Sequence, residues 1–124
     1  MVPSSLRAWF IIHFFADLIF AIPLFFAPVW FMGLFGFTTI DPLTARLVAA
    51  ALFGIGGVSF LIRNKSREVY QAMLTLKIIW SVSAIIGIAL SIAGGAPKSV
   101  FLFLTIFIVF SSVWIIFFLK LRKG

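Results

Sequence analysis

The chain has 124 residues, of which 64% are hydrophobic, 18% aromatic and only 10% charged, with a mean hydropathy of +1.27. A soluble domain carries about 25% charged residues, so there is too little polar material here to cover a water-facing surface, and an integral membrane protein is expected. Cysteine is absent, which excludes disulfides, thiol nucleophiles and thiolate metal sites; the formal net charge of +7 punctuates apolar tracts, where it marks topology rather than a nucleic-acid partner.

Dividing the chain at its charges and turn residues predicts helices over roughly residues 5–31, 42–62, 68–92 and 99–119. Each is near the length of about 20 residues that spans a hydrocarbon core. The three links are short, so consecutive helices should be antiparallel neighbours. The expected fold is all-α: one membrane domain over residues 1–124, a four-helix bundle with antiparallel up-down topology. The first span has Arg7 ahead of an apolar run, as a signal peptide would. Its length and the Asp17 inside it argue that it is retained.

Orientation follows from the basic residues of the short loops. Arg7, Arg63, Lys65, Arg67, Lys120, Arg122 and Lys123 fall on one side and Arg46 and Lys98 on the other. Both termini are expected in the cytoplasm, with the chain in the inner membrane. The imbalance argues against a protein that inserts in both directions.

In the first span His13 and Asp17 are four residues apart, hence on one helical face. Pro23 and Pro28 punctuate its outer half and predict kinks, because each leaves an upstream carbonyl without its amide donor. Ahead of the second span, Asp41-Pro42-Leu43-Thr44 places a capping acceptor before a proline at the first helical position. Asp41 and Arg46 form a polar pair at the outer end of this helix, where Arg46 is expected to reach the headgroups or Asp41. Further along, Ala50, Gly54 and Gly57 make a stripe of small residues, a packing spine for the bundle or for a dimer.

In the third span Tyr70, Lys77 and Ser81 share a face. Counted from the cytoplasmic ends of their helices at about 1.5 Å per residue, His13 and Asp17 lie roughly 12 to 18 Å deep and Lys77 roughly 13 Å deep. An isolated charge at such depth costs at least about 2.5 to 3.5 kcal/mol, so Asp17 and Lys77 are expected to pair, with His13 and Tyr70 hydrogen-bonded to them. The bland reading is a pair that fixes helix register, or a Lys77 that snorkels to the surface. Gly94-Gly95-Ala96-Pro97 should end this helix, since glycine takes left-handed backbone readily. Ser81, Ser83, Thr105, Ser111 and Ser112 are candidates for bonds between helices. Trp9, Trp30, Trp80 and Trp114 are candidates for interfacial belts, with Trp80, one turn from Lys77, an alternative lining of the polar cluster.

The combination of Asp17, Pro23, Pro28, Asp41-Pro42, Arg46, the small-residue stripe over 49–57, Arg63 and the stretch from Lys77 to Ser81 resembles the DoxX-like group of small four-helix prokaryotic membrane proteins. The resemblance covers nearly the whole chain. It implies the four-helix membrane fold and carries no activity, cofactor or residue role.

No phosphate loop, nucleophile elbow, paired carboxylate or HExxH motif is present, and with Asp17, Asp41 and Glu68 as the only acids the chain is not expected to be an enzyme. A single histidine cannot supply the three or four ligands of a zinc site, so neither metal nor cofactor is expected. Membrane lipids are the expected partners, with a homo-oligomer or a larger membrane complex as the setting. Two function classes follow. One is a structural, interaction or lipid-binding protein whose polar cluster only orders the helices. The other is a small oligomeric transporter or channel in which Asp17, Lys77 and His13 handle protons or a charged solute.

Overall fold

The computed structural model describes residues 1–123 and is all-α over them, with α1 (Ser4–Phe26), α2 (Pro28–Gly33), α3 (Pro42–Leu61), α4 (Arg67–Ala93) and α5 (Val100–Lys123). Among the described residues, α1, α3, α4 and α5 are each long and apolar enough to cross a membrane, as expected of a multi-pass membrane protein. The helices pair within two compact units, an N-terminal hairpin over Pro3–Lys65 and a C-terminal hairpin over residues 66–123.

In the N-terminal hairpin α1 and α3 run antiparallel: the Phe14 ring lies 4.8 Å from that of Phe60, and Phe25 lies 5.9 Å from Phe53. The buried face of α1 is Leu6, Phe10, His13, Asp17, Ala21 and Leu24, a stripe at intervals of three and four. The first span differs from expectation in being broken rather than one bent helix. Pro28 has no N–H to continue the ladder and drives the residue before it out of the helical region. Ala27 accordingly sits at φ −139°, ψ 62°, its N–H still bonded to the Pro23 carbonyl at 2.9 Å, and Pro28 takes the first position of the new helix α2. Gly36 then stops α2 with φ +88°, and the Phe37 N–H returns to the Met32 carbonyl at 3.3 Å, closing a Schellman turn.

Helix α3 opens as the sequence predicts. The Asp41 carboxylate accepts the Leu43 N–H at 3.1 Å and the Thr44 hydroxyl at 2.6 Å, and Pro42 is the first helical residue. These bonds hold the exposed Asp41 carboxyl below its ordinary range, the Thr44 hydroxyl contributing most and the Leu43 N–H next.

In the C-terminal hairpin, α4 has 27 residues and ends at the predicted glycines. Gly95 has φ +90°, and the Ala96 N–H reaches the Ser91 carbonyl at 3.0 Å. Helix α5 continues through Lys123, past the expected stop at 119, so Lys120, Arg122 and Lys123 belong to its last turn. Basic side chains are favoured there, where the helix dipole is negative.

Candidate functional site

Intervals of four and three place polar groups on the buried faces of α1 and α4, and both helices carry ionisable groups there. On α1, His13 is 5% exposed and Asp17 7%, and His13 Nε2 lies 3.2 Å from Asp17 Oδ1. The one-turn spacing creates this contact, as the sequence predicts. The other carboxylate oxygen, Asp17 Oδ2, is buried without a hydrogen-bond partner.

The seat for Asp17 is Gly56 of α3. A β-carbon built on Gly56 would stand 2.8 Å from Asp17 Cβ, 3.1 Å from Oδ2 and 3.4 Å from Cγ. The absence of a side chain at this one position lets the acidic turn of α1 lie directly on α3. The buried face of α3 is therefore Ala45, Ala49, Leu52, Gly56 and Ser59. Within the hairpin α1 packs on this stripe and not on Ala50, Gly54 and Gly57, the spine expected for the bundle or a dimer. Ala50 and Gly54 are exposed and Gly57 only half-buried, and a β-carbon on Gly54 or Gly57 would meet nothing within 4 Å. Two small-residue stripes run along α3 about one position apart, and α1 uses the one that clears Asp17.

On α4 the buried residues Tyr70, Leu74, Lys77 and Ser81 follow one another at intervals of four, three and four. Lys77 is fully buried, so it does not snorkel to the surface. Its Nζ lies 4.8 Å from the centroid of the Trp114 ring on α5, within cation–π range. Trp114 is itself buried and stacks with Phe110 at 5.6 Å. Trp114 is thus the aromatic partner of the lysine rather than a belt residue. Trp80 presents a buried Nε1 without a hydrogen-bond partner. The structure describes the five candidate residues as two sets, His13 with Asp17 in the N-terminal hairpin and Tyr70, Lys77 and Ser81 in the C-terminal one.

Of the polar pair Asp41 and Arg46, Asp41 is the expected cap and only Arg46 differs from expectation. Asp41 is engaged by Leu43 and Thr44 of its own helix, while Arg46 Nε donates to the Phe25 carbonyl at 3.0 Å. The break at Ala27 explains the second bond, because Phe25 lies in the last turn of α1, where carbonyls lose their helical donors. The same device recurs at the basic ends. The Arg7 guanidinium donates to the carbonyls of Arg63 and Lys65, just past the end of α3, and the Arg67 guanidinium donates to the Leu121 carbonyl in the last turn of α5. In each case an arginine near the start of one helix caps the carbonyl end of its antiparallel neighbour. Charge counting treats these arginines as topology signals alone; an arginine facing the end of a neighbouring helix is the signal for the cap.

Three of the five hydroxyl candidates also bond differently from expectation. Ser81 donates to Ile78 O at 3.2 Å, Thr105 to Phe101 O at 2.9 Å and Ser112 to Ile108 O at 2.8 Å. These are bonds back to their own helices, not bridges between helices. No group of three or more His, Cys, Asp or Glu able to hold a metal occurs among the described residues. Comparison with known protein families, curated proteins and solved structures returned no match.

Proposed function

We propose that the protein is a small multi-pass membrane transporter or channel, acting as an oligomer, in which Asp17 with His13 takes up and releases a proton inside the membrane. The observation that supports this reading is the buried Asp17 Oδ2 without a hydrogen-bond partner. Buried polar atoms are almost always satisfied, and one that is not calls for a reason. A carboxylate retained only to fix helix register would be expected to have both oxygens engaged. An acid inside a membrane helix with one oxygen left unbonded keeps an acceptor for a proton, and a histidine one turn away adds a side chain that both donates and accepts protons. The basic loops favour an orientation with both termini in the cytoplasm.

The test is proton flux into proteoliposomes carrying an internal pH dye, driven by a potassium diffusion potential. The reading expects wild-type vesicles to acidify faster than protein-free vesicles, and Asp17→Asn to return them to the protein-free rate. Wild-type vesicles no faster than protein-free ones, with the protein folded, would overturn it. A reporter fused after Lys123 tests the orientation, with activity in the cytoplasm expected.

A second reading, a structural or interaction subunit without transport, is favoured by one observation. Arg7, Arg46 and Arg67 all cap helix ends, so three of the ten basic residues already have a task inside the fold.

A further inference from the structure

The last turn of α5 concentrates positive charge beyond what the fold neutralises. Lys120, Arg122 and Lys123 are all in that turn and all exposed, and Arg67 joins them through its bond to the Leu121 carbonyl. The negative end of a helix dipole amounts to about half an elementary charge, which leaves most of four cations uncompensated. Glu68, in the first turn of α4, is the one acidic side chain of this hairpin.

Depth says what can supply the missing charge. From Val100 to Leu119 α5 carries no charged residue, and these 20 residues at about 1.5 Å each span roughly 30 Å, the thickness of a bilayer core. A helix that spans the core with this stretch carries Lys120 to Lys123 to the level of the lipid phosphates. The helix surface just below them exposes Ile115, Ile116 and Leu119, an apolar flank suited to acyl chains. Lys120 extends back along its own helix, with Nζ 5.4 Å from the Phe117 ring.

We propose that the basic end of the α4–α5 hairpin binds the phosphate headgroups of anionic phospholipids through Lys120, Arg122 and Lys123, while Arg67 holds the end of α5 in place. The phosphate monoanion is the recognised chemistry. A lipid supplies it at the right depth and covers the apolar flank at once, which free phosphate cannot do.

The experiment places the full chain in nanodiscs of phosphatidylcholine mixed with phosphatidylglycerol and measures the enrichment of phosphatidylglycerol around the protein. Wild-type protein is expected to enrich the anionic lipid, and high salt to abolish the enrichment. Each neutralised cation should lower the preference by up to about fivefold, so Lys120→Gln, Arg122→Gln and Lys123→Gln together should reduce it far more than any one of them, leaving only the share of the other basic residues. Lys98→Gln, at the opposite end of the hairpin, should leave it intact. Unchanged enrichment in the triple variant, or equal loss in the Lys98→Gln variant, would overturn the proposal. So would inorganic phosphate raising the thermal stability of the protein in pure phosphatidylcholine as much as phosphatidylglycerol does, because the site would then take free anions. Proton flux plays no part in this readout, so its result stands apart from the transport reading.

Discussion

Gly56 and Asp17 meet so closely that a β-carbon on the glycine would lie 2.8 Å from the β-carbon of the acid. That is closer than side chains pack, and the obstructing atom is the root of the Asp17 side chain, which cannot swing away without moving α1. Gly56→Ala is therefore expected to destabilise the protein by about 1 to 3 kcal/mol, the usual range for an overpacked core. Gly54→Ala, in open space, should be close to neutral. Thermal unfolding of both variants in detergent decides between the two faces, and the reverse order would assign the packing to the wrong stripe.

Helix existence and several helix ends were legible in the sequence because their causes are local. Asp41, Pro42 and Gly95 act within a few residues of themselves, and each behaves as its chemistry predicts. The break at Ala27 was less legible, since Pro28 permits either a kink or a break. A break leaves the Phe25 carbonyl in need of a donor, and Arg46 supplies it from 21 residues away. The packing face of α3 shows the same limit. Small residues occur on two stripes, spacing rules accept both, and the bulk of Asp17 on another helix selects one. The contact between Lys77 and Trp114 is likewise non-local, and nothing near either residue in the chain announces it.

The Arg7 guanidinium serves two carbonyls at the end of α3, a task for which its planar fork is suited and a lysine is not. Arg7→Lys keeps the topological charge but should lose one of the two bonds, lowering stability by about 1 kcal/mol. Orientation, read by a C-terminal reporter, should not change. Wild-type stability in the Arg7→Lys variant would show that charge alone matters at this position.

At the opposite end of the hairpin, Asp41 supplies a pH dependence whose sign follows from its bonds. The Thr44 hydroxyl, first, and the Leu43 N–H hold its carboxyl below the ordinary range, so the folded chain binds the proton less readily than the unfolded one. The stabilisation is therefore fully present above the unfolded value of about 3.9 and is lost as pH falls through the lower folded value. Thr44→Val removes the larger cause, and its deficit relative to wild type should be constant from neutral pH down to about pH 5 and should shrink in stronger acid, as the wild type loses the same contribution. Melting temperatures of both proteins across this range provide the check. A deficit that stays constant into strong acid would mean that the bond does not depend on the charge of Asp41.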